Sequence, residues 1–441
     1  MKSKSKVKGR VENKDHLKVE GGSLMTKETG SVEGKGKQPL IPYWVKVVIV
    51  FFFGWVALYA TRTILNPIMG DIESAFSLSK AQLGLIMSIF FIGYAGMNVP
   101  AGILGDKIGK KRVLVPGVIL FGLLAAVTGM MPTFFLFISA WLMVGMAQGV
   151  YYGPQYGISS EMIPKNRLTL GSAVINAGMA FGTSIGYYIS SYVVGEWGFG
   201  WRIPFFIIGV PVVLIGIAMA IVIKDKPKTD KEVKSTAEPF KFSSLFNRNL
   251  ILAYIIIFCS IYGFFMIITW LPYYLETARG LTGGNIAFVA SLVPWAAIPG
   301  SLFFSWLSDK LGRRKPVLLM MLPFGILSTA AIVYFDSLPI LYMTLIVYGI
   351  VGKISVNPVL IAVVANNAPK QSLSTAFGFY NFVGMLGSIL APYITGWLTD
   401  TTGSMNIGFY FAAALLVIAL IATYLIDESN LRPVDKTAKH H

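Results

Sequence analysis

The sequence predicts an all-α membrane protein with twelve transmembrane helices arranged as two six-helix bundles. Of its 441 residues, 55% are hydrophobic and only 13% are charged, which is far from the balance of a soluble globular protein. Apolar runs of about 20 residues recur along the chain, and each is long enough to cross roughly 30 Å of hydrocarbon as a helix. The chain is therefore expected to cross a membrane many times.

Charged residues, prolines and glycines bound the apolar runs and set the predicted helix starts. The helices of the first half begin near Tyr43, Ala81, Val113, Thr133, Thr169 and Ile203, and those of the second half begin near Leu250, Gly284, Pro316, Leu338, Leu373 and Asn406. The longest connection, residues 225–248, is charged and contains two prolines, which is typical of a linker. We predict tails at 1–40 and 428–441 and bundles at 41–224 and 249–427.

The basic residues indicate the orientation of the chain. The formal net charge is +16, and the lysines and arginines concentrate in the tails and in the connections on one side. Lysine and arginine in short connections mark the cytoplasmic side, so both termini are expected in the cytoplasm. The membrane that the chain spans is expected to be the cell membrane. The polar N-terminal tail lacks the apolar core of a signal peptide and has the composition of a disordered segment. Anionic lipid explains the charge better than nucleic acid does.

A motif recurs at the same place in both halves. Its first copy consists of Gly102, Asp106, Lys107, Gly109, Lys110, Lys111 and Arg112, and its second copy consists of Ser305, Asp309, Lys310, Gly312, Arg313, Arg314 and Lys315. The small residue permits close helix approach, the aspartate can accept from helix amides or an arginine, and the basic cluster holds the loop in the cytoplasm. Either copy alone could be a solvated loop. Two copies in register indicate a duplicated transporter with a conformational motif in each half.

These two copies, GILGDKIGKKR and SWLSDKLGRRK, resemble the loop signature of the major facilitator superfamily. The stretches TWLPYYLETARG (269–280) and NNAPKQSLSTAFGFYNFVG (366–384) look like its anion:cation symporter branch. The pair Tyr59-x-x-Arg62 resembles the same branch and also the organophosphate:phosphate antiporters. The resemblance implies alternating access, an organic anion such as a sugar acid as substrate, and a cavity lined by helices one, four, seven and ten.

The chain departs from both branches at charged positions. Thr61 precedes Arg62 where the symporter branch tends to place an acid, and Gln148 stands where that branch tends to carry glutamate. The antiporters have a second arginine in helix seven, where this chain has the apolar residues 262–266. Carboxylate-based proton coupling therefore lacks its usual residues here.

Two cations lie inside apolar helices. Arg62 lies about 22 Å along the first helix, and Lys353 lies about 14 residues from each end of its span. A charge in hydrocarbon costs from about 3 to more than 10 kcal/mol, so it normally faces a partner, a cavity or a ligand. Arg62 could instead reach the interface or pair with Asp71 or Glu73. Because no acid or histidine lies mid-membrane, the two cations favour a small anionic ligand.

Polar and aromatic residues accompany these charges on the predicted lining helices and on helix eleven. The candidate substrate-binding residues are Arg62, Lys353, Tyr59, Gln148, Tyr151, Tyr152, Gln155, Asn357, Trp270 and Asn381. For the aromatic residues packing or an interfacial position is the alternative, and for Asn381 the alternative is a hydrogen bond across helices.

These features predict a secondary transporter of a small organic anion. Moving one negative charge inward costs about 2.3 kcal/mol per 100 mV, so uptake needs a co-transported proton or sodium ion, or exchange for a counter-anion. Anion exchange, multidrug efflux and a non-transporting receptor are the alternatives. Efflux of cationic drugs usually requires a buried acid that attracts the cation, and the two buried cations argue against it. The chain has one cysteine and no nucleotide-binding loop, metal-ligand spacing or intramembrane nucleophile, so we expect no cofactor, no metal and no enzymatic activity. We expect a monomer.

Overall fold

A computed structural model describes residues 42–164, 167–224, 245–368 and 373–428, and these residues form helices without any strand. The predicted N-terminal tail and most of the linker and C-terminal tail lie outside the described residues. The described chain is one compact unit. The predicted boundaries between the bundles, the linker and the tails therefore remain predictions.

The described residues form fifteen α-helices. They are α1 (Tyr43–Thr63), α2 (Met69–Phe76), α3 (Lys80–Ile108), α4 (Lys110–Met130), α5 (Phe134–Gly149), α6 (Tyr152–Met162), α7 (Leu168–Ser190), α8 (Ile203–Val222), α9 (Arg248–Thr277), α10 (Gly283–Leu311), α11 (Lys315–Tyr334), α12 (Leu338–Val351), α13 (Lys353–Asn367), α14 (Leu373–Thr402) and α15 (Asn406–Leu425). A 3-10 turn (Asn66–Ile68) joins α1 to α2, and a π turn (Ser191–Glu196) extends α7. The twelve predicted helix starts each lie within three residues of an observed one.

Three of the predicted spans are broken helices. The first continues from α1 through the 3-10 turn into α2, the fourth is α5 followed by α6, and the tenth is α12 followed by α13. With these pairs joined, eleven segments of the described chain are long and apolar enough to cross a membrane. The remaining predicted span, the fifth along the chain, is α7, which has 23 residues and is rich in glycine, serine and tyrosine.

Close packing explains the composition of α7. This helix packs against α1 and α10, and Gly178, Gly182 and Gly186 all face the backbone of α1. A Cβ atom on Gly182 would lie 2.4 Å from the carbonyl oxygen of Val56. Small residues let membrane helices approach closely, so a helix that packs against the backbone of its neighbour favours glycine over large apolar side chains.

The two halves of the chain meet at one end of the molecule. We call the end where α1 begins and α15 ends the terminal face, and the other end the opposite face. At the opposite face, Asp400 on α14 accepts hydrogen bonds from the backbone N–H groups of Lys80 (2.9 Å) and Ala81 (2.8 Å) at the start of α3. Close to this contact, Gly84 of α3 faces the backbone of Pro392 on α14. An acidic side chain thus caps a helix N-terminus from the other bundle.

A second cross-bundle contact strengthens this closure. The Lys80 ammonium bonds to the Glu73 carboxylate and to the Tyr273 hydroxyl, and that hydroxyl donates to Glu73 Oε2 at 2.7 Å. Towards the terminal face, a methyl group added to Gly96 on α3 or to Gly378 on α14 would have no described atom within 4 Å. The bundles are therefore joined at the opposite face.

We expect Gly182→Ala to destabilise the protein. The added methyl group would collide with the Val56 carbonyl, and separating α1 from α7 should cost about 1–3 kcal/mol. The midpoint of thermal unfolding in detergent should therefore fall by several degrees. Gly96→Ala is the matched control, because its methyl group enters open space, and its midpoint should be unchanged or slightly raised. An equal fall in both variants would contradict the packing argument.

Candidate substrate site

Arg62 lies in the last turn of α1 and is buried, with 5% of its surface exposed. Its Nε donates to Oε1 of Gln148 on α5. The amide of Gln148 is held in turn, because its Nε2 donates to the Leu58 carbonyl at 3.1 Å. The Leu58 contact orients the glutamine so that its oxygen faces the guanidinium.

Aromatic rings surround the rest of the guanidinium. Its central carbon lies 4.5 Å from the ring centroid of Tyr94, 4.8 Å from that of Tyr59, 5.7 Å from that of Phe90 and 5.8 Å from that of Phe91. Such contacts are worth up to about 2 kcal/mol each when desolvated. They stabilise the cation but leave its positive charge in place. A carboxylate would neutralise that charge.

The guanidinium also keeps an unused donor. One terminal nitrogen of Arg62 is buried and has no hydrogen-bond partner in the described part of the chain. A buried donor left unpaired costs about 1–3 kcal/mol, and more when the group is charged. An anion with two oxygens would satisfy this donor, since arginine presents its N–H groups as a planar fork.

A cavity next to Arg62 lies between the two halves of the chain. Its lining consists of Tyr59, Arg62, Thr63, Asn66, Met87, Phe91, Thr183, Phe264, Phe265, Ile268 and Thr269. The space open to the centre of a water-sized sphere is about 10 Å³, enough for one water molecule. The side-chain oxygens of Asn66 and Thr269 are buried without a partner among the described residues. A larger anion requires the lining helices to move apart.

Lys353 approaches the same region from the second half of the chain. It is the first residue of α13 and follows Gly352, whose extended backbone separates α12 from α13. Its Nζ lies 5.7 Å from the ring centroid of Phe264, which also lines the Arg62 cavity. No carboxylate of the described residues forms an ion pair with Lys353 or Arg62.

The structure places the other predicted residues of the fourth span nearer the terminal face. The Tyr151 hydroxyl donates to the Phe51 carbonyl at 3.1 Å, and Gln155 accepts from the Trp55 indole at 3.3 Å. Tyr152 is 38% exposed and packs edge-on against Trp55. The polar groups of Tyr151 and Gln155 are therefore used in bonds between helices, while Tyr152 stays accessible.

The predicted residues of the second half are more dispersed. Asn357 accepts a hydrogen bond from the Tyr380 hydroxyl at 2.9 Å. Trp270 is buried, and its indole donates to the Pro392 carbonyl at 3.1 Å, which ties α9 to α14. Asn381 is exposed on α14. Of this group, only Lys353 lies beside the Arg62 cavity.

The two copies of the loop motif share a backbone feature. Gly109 and Gly312 both have a positive φ, +111° and +64°, at the turn that ends α3 or α10. Only glycine adopts such angles without strain, which explains its place in both copies. Lys110 pairs with Glu161 of α6, and Asp309 lies 3.4 Å from Arg314. The Asp106 side chain lies outside the described part of the structure.

Sequence reasoning missed the aromatic rings of α3. Phe90, Phe91 and Tyr94 carry no charge and read as ordinary packing residues of an apolar helix. Tyr94 lies three and four residues after Phe91 and Phe90, a spacing that places its ring beside theirs on the helix surface, and this spacing was the available signal. The role of this ring cluster can be recognised only when the structure shows that Arg62 lies against it.

Two helical bundles with a charged cavity between them are an architecture found in many membrane transporters. The chain belongs to the Major Facilitator Superfamily, whose family model matches residues 51–284 and 253–440. This confirms both the predicted fold and the resemblance drawn from the loop motifs. The protein is thus a multi-pass membrane protein of a transporter family, not an enzyme.

Named relatives agree with this assignment. The chain is 28% identical to the gentisate transporter of Corynebacterium glutamicum, over 81% of this chain and 83% of that one. It is 26% identical to the hexuronate transporter of Bacillus subtilis, over 85% and 93% of the two chains. In fold it is similar to a bacterial homolog of the human lysosomal transporter Spinster in an inward-facing and occupied conformation. That similarity has a TM-score of 0.76 at 16% identity and covers 88% of this chain and 97% of the other.

We expect Arg62→Met to abolish anion binding. A small carboxylate or phosphate ester that binds the wild-type protein should stabilise it by about 2.7 kcal/mol at a concentration of 100 Kd. Thermal unfolding of the detergent-solubilised protein, measured with a panel of such anions, should show this shift for the wild type and no shift for Arg62→Met. Arg202→Met is the matched control. Arg202 also stacks on an aromatic ring, that of Trp201, but does not line the cavity. Retention of the shift in Arg62→Met would contradict the assignment.

Proposed function

We propose that this protein is a secondary transporter that carries a small organic anion across the cell membrane by alternating access. The observation that carries the proposal is the Arg62 guanidinium, which is buried, unpaired with any described carboxylate, and left with a free donor beside the cavity. Lys353 adds a second positive charge from the other bundle. Gentisate and hexuronates, named for two relatives, are both carboxylates.

The lining supports a carboxylate with an apolar or partly hydroxylated body. Met87, Phe91, Phe264 and Phe265 provide apolar surface, while Thr63, Asn66, Thr183 and Thr269 provide hydroxyl and amide groups. In this proposal Arg62 binds the charged group, with Gln148 and Tyr59 holding the guanidinium. Binding sites of transporters at a bundle interface commonly combine a fixed charge with such a mixed wall.

The conformation supports alternating access. The bundles are joined at the opposite face through Asp400 and the Glu73–Lys80–Tyr273 contact, so a path to the site is expected at the terminal face. With the termini in the cytoplasm, as the basic loops predict, the site would open inward in this state. Outward opening would break the polar contacts at the opposite face. The anion would then enter from outside.

Coupling to a cation is the leading mechanism, with a proton or a sodium ion as the partner. Uptake of an anion against an inside-negative potential costs about 2.3 kcal/mol per charge and 100 mV, and a co-transported cation offsets that cost. Anion exchange is the second candidate. It is favoured by the lack of a carboxylate among the described residues that line the cavity. Efflux of lipophilic cations is disfavoured, since Arg62 and Lys353 would repel them.

Transport into proteoliposomes should separate these mechanisms. We expect labelled carboxylates to enter when an inward proton or sodium gradient is applied, and Arg62→Ala to reduce this flux to background. Flux that appears only against an internal anion would instead establish exchange. Arg202→Ala should transport like the wild type and controls for general loss of arginine. If no anion enters under either condition, the proposed function is wrong.

A further inference from the structure

We propose that Lys353 carries the coupled proton, so that the anion binds together with one proton and both leave on the other side of the membrane. This inference rests on the proposed transport of an organic anion. It adds the identity of the coupling ion and the residue that binds it.

Lys353 is the group at this site that can exchange a proton near neutral pH. Among the described residues, the ionisable side chains that line the Arg62 cavity are Arg62 and Tyr59. Arginine stays charged at every physiological pH, and tyrosine normally keeps its proton up to a pH of about 10. Lysine differs, because its ammonium can lose a proton when its surroundings disfavour charge.

The surroundings of Lys353 contain no acid in the described structure. A small second cavity beside it is lined by Ser260, Leu322, Gly325, Tyr348, Val351, Gly352, Val356 and Leu416. Of the helices packed against α13, α9 carries Cys259 and Tyr262 at this level, and α12 presents Tyr348. On α14, Tyr380 is bonded to Asn357. Neither α10 between 283 and 308 nor α11 between 316 and 333 contains an ionisable side chain.

Three positive sources converge at this point. They are the Lys353 ammonium, the N-terminus of α13, which has no side-chain cap, and the Arg62 guanidinium, which shares the neighbour Phe264 with Lys353. A helix N-terminus acts as roughly half a positive charge. Phe264 and the apolar wall of the second cavity supply little solvation. A charged Lys353 is therefore costly until an anion lies between the two cations.

This arrangement links anion binding to proton binding. The anion stabilises the ammonium form of Lys353, so the proton attaches to the Nζ lone pair on the side from which the anion enters. When the anion leaves on the other side, the proton leaves from the same nitrogen and no other bond changes. A carboxylate with one negative charge then crosses as a neutral pair, which removes the cost of about 2.3 kcal/mol per 100 mV.

Lys353→Arg tests this role, since an arginine at this place keeps the positive charge but cannot release a proton. The probes are labelled gentisate and labelled glucuronate in proteoliposomes containing a pH-sensitive dye. We expect wild-type uptake to follow an inward proton gradient and to move protons inward. Lys353→Arg should retain exchange of internal for external probe, and should lose gradient-driven uptake and proton movement.

A neutral variant and a surface control complete the test. Lys353→Gln should also exchange the probe, with an affinity weaker by about tenfold for the lost charge contact, and its exchange should not depend on pH. Lys46→Arg, at an exposed position on α1, should behave like the wild type.

Three outcomes would overturn the inference. Gradient-driven uptake by Lys353→Arg would show that the proton binds elsewhere, and wild-type uptake driven by sodium alone would show that the ion is different. Loss of exchange in both Lys353 variants would assign the residue to anion binding itself in place of proton transfer. These results leave the proposed transport intact. By contrast, wild-type protein that moves neither probe under any gradient or exchange condition would refute the proposed function together with this inference.

Discussion

A guanidinium held inside hydrocarbon without a counter-ion is the constraint around which this structure is built. Such a charge costs from about 3 to more than 10 kcal/mol, and a nearby carboxylate would offset that cost while neutralising the site. The structure uses a glutamine oxygen and aromatic faces instead. Close packing makes this possible. Gly145 and Gly149 bring α5 against the backbone of Phe90 and Tyr94, so the helix that carries Gln148 and the helix that carries the rings meet at Arg62.

The duplication of the chain places the second cation. The fourth and tenth spans are both interrupted, the first between α5 and α6 and the second at Gly352, between α12 and α13. In transporters, interrupted helices near the middle of the bilayer expose backbone dipoles to a ligand. Here the second interruption starts a new helix at Lys353. The fixed guanidinium and the flexible ammonium thus come from opposite bundles, and any motion between the bundles changes the distance between the two charges.

Much of this architecture could be predicted from the sequence, because charges and glycines in apolar helices are costly and therefore stand out. Arg62 and Lys353 were predicted in that way, whereas Tyr59 and Gln148 were predicted from their spacing on the lining helices and lie against Arg62 in the structure. Other roles depended on tertiary partners that no spacing reveals. Trp270 and Gln155 have the polarity of binding residues, yet their hydrogen bonds join helices. Conversely, Phe90 and Tyr94 look like packing residues and surround the cation. Helix α7 was predicted as a span from the sequence, while the reason for its glycines, the close contact with α1, appears only in the structure.

The way Arg62 is stabilised also bears on how such a protein can change over evolutionary time. Its charge is maintained by residues that do not need to touch the cargo, since the Gln148 oxygen and the Tyr94 ring contact the guanidinium itself. Phe264, Phe265, Thr183 and Thr269 line the cavity without stacking on the guanidinium. Under the proposed function, substitutions among these lining residues would change which anion binds without disturbing the contacts that stabilise Arg62. Proteins that descend from this scaffold could therefore differ in the anion they bind while all keep the preference for a negative charge.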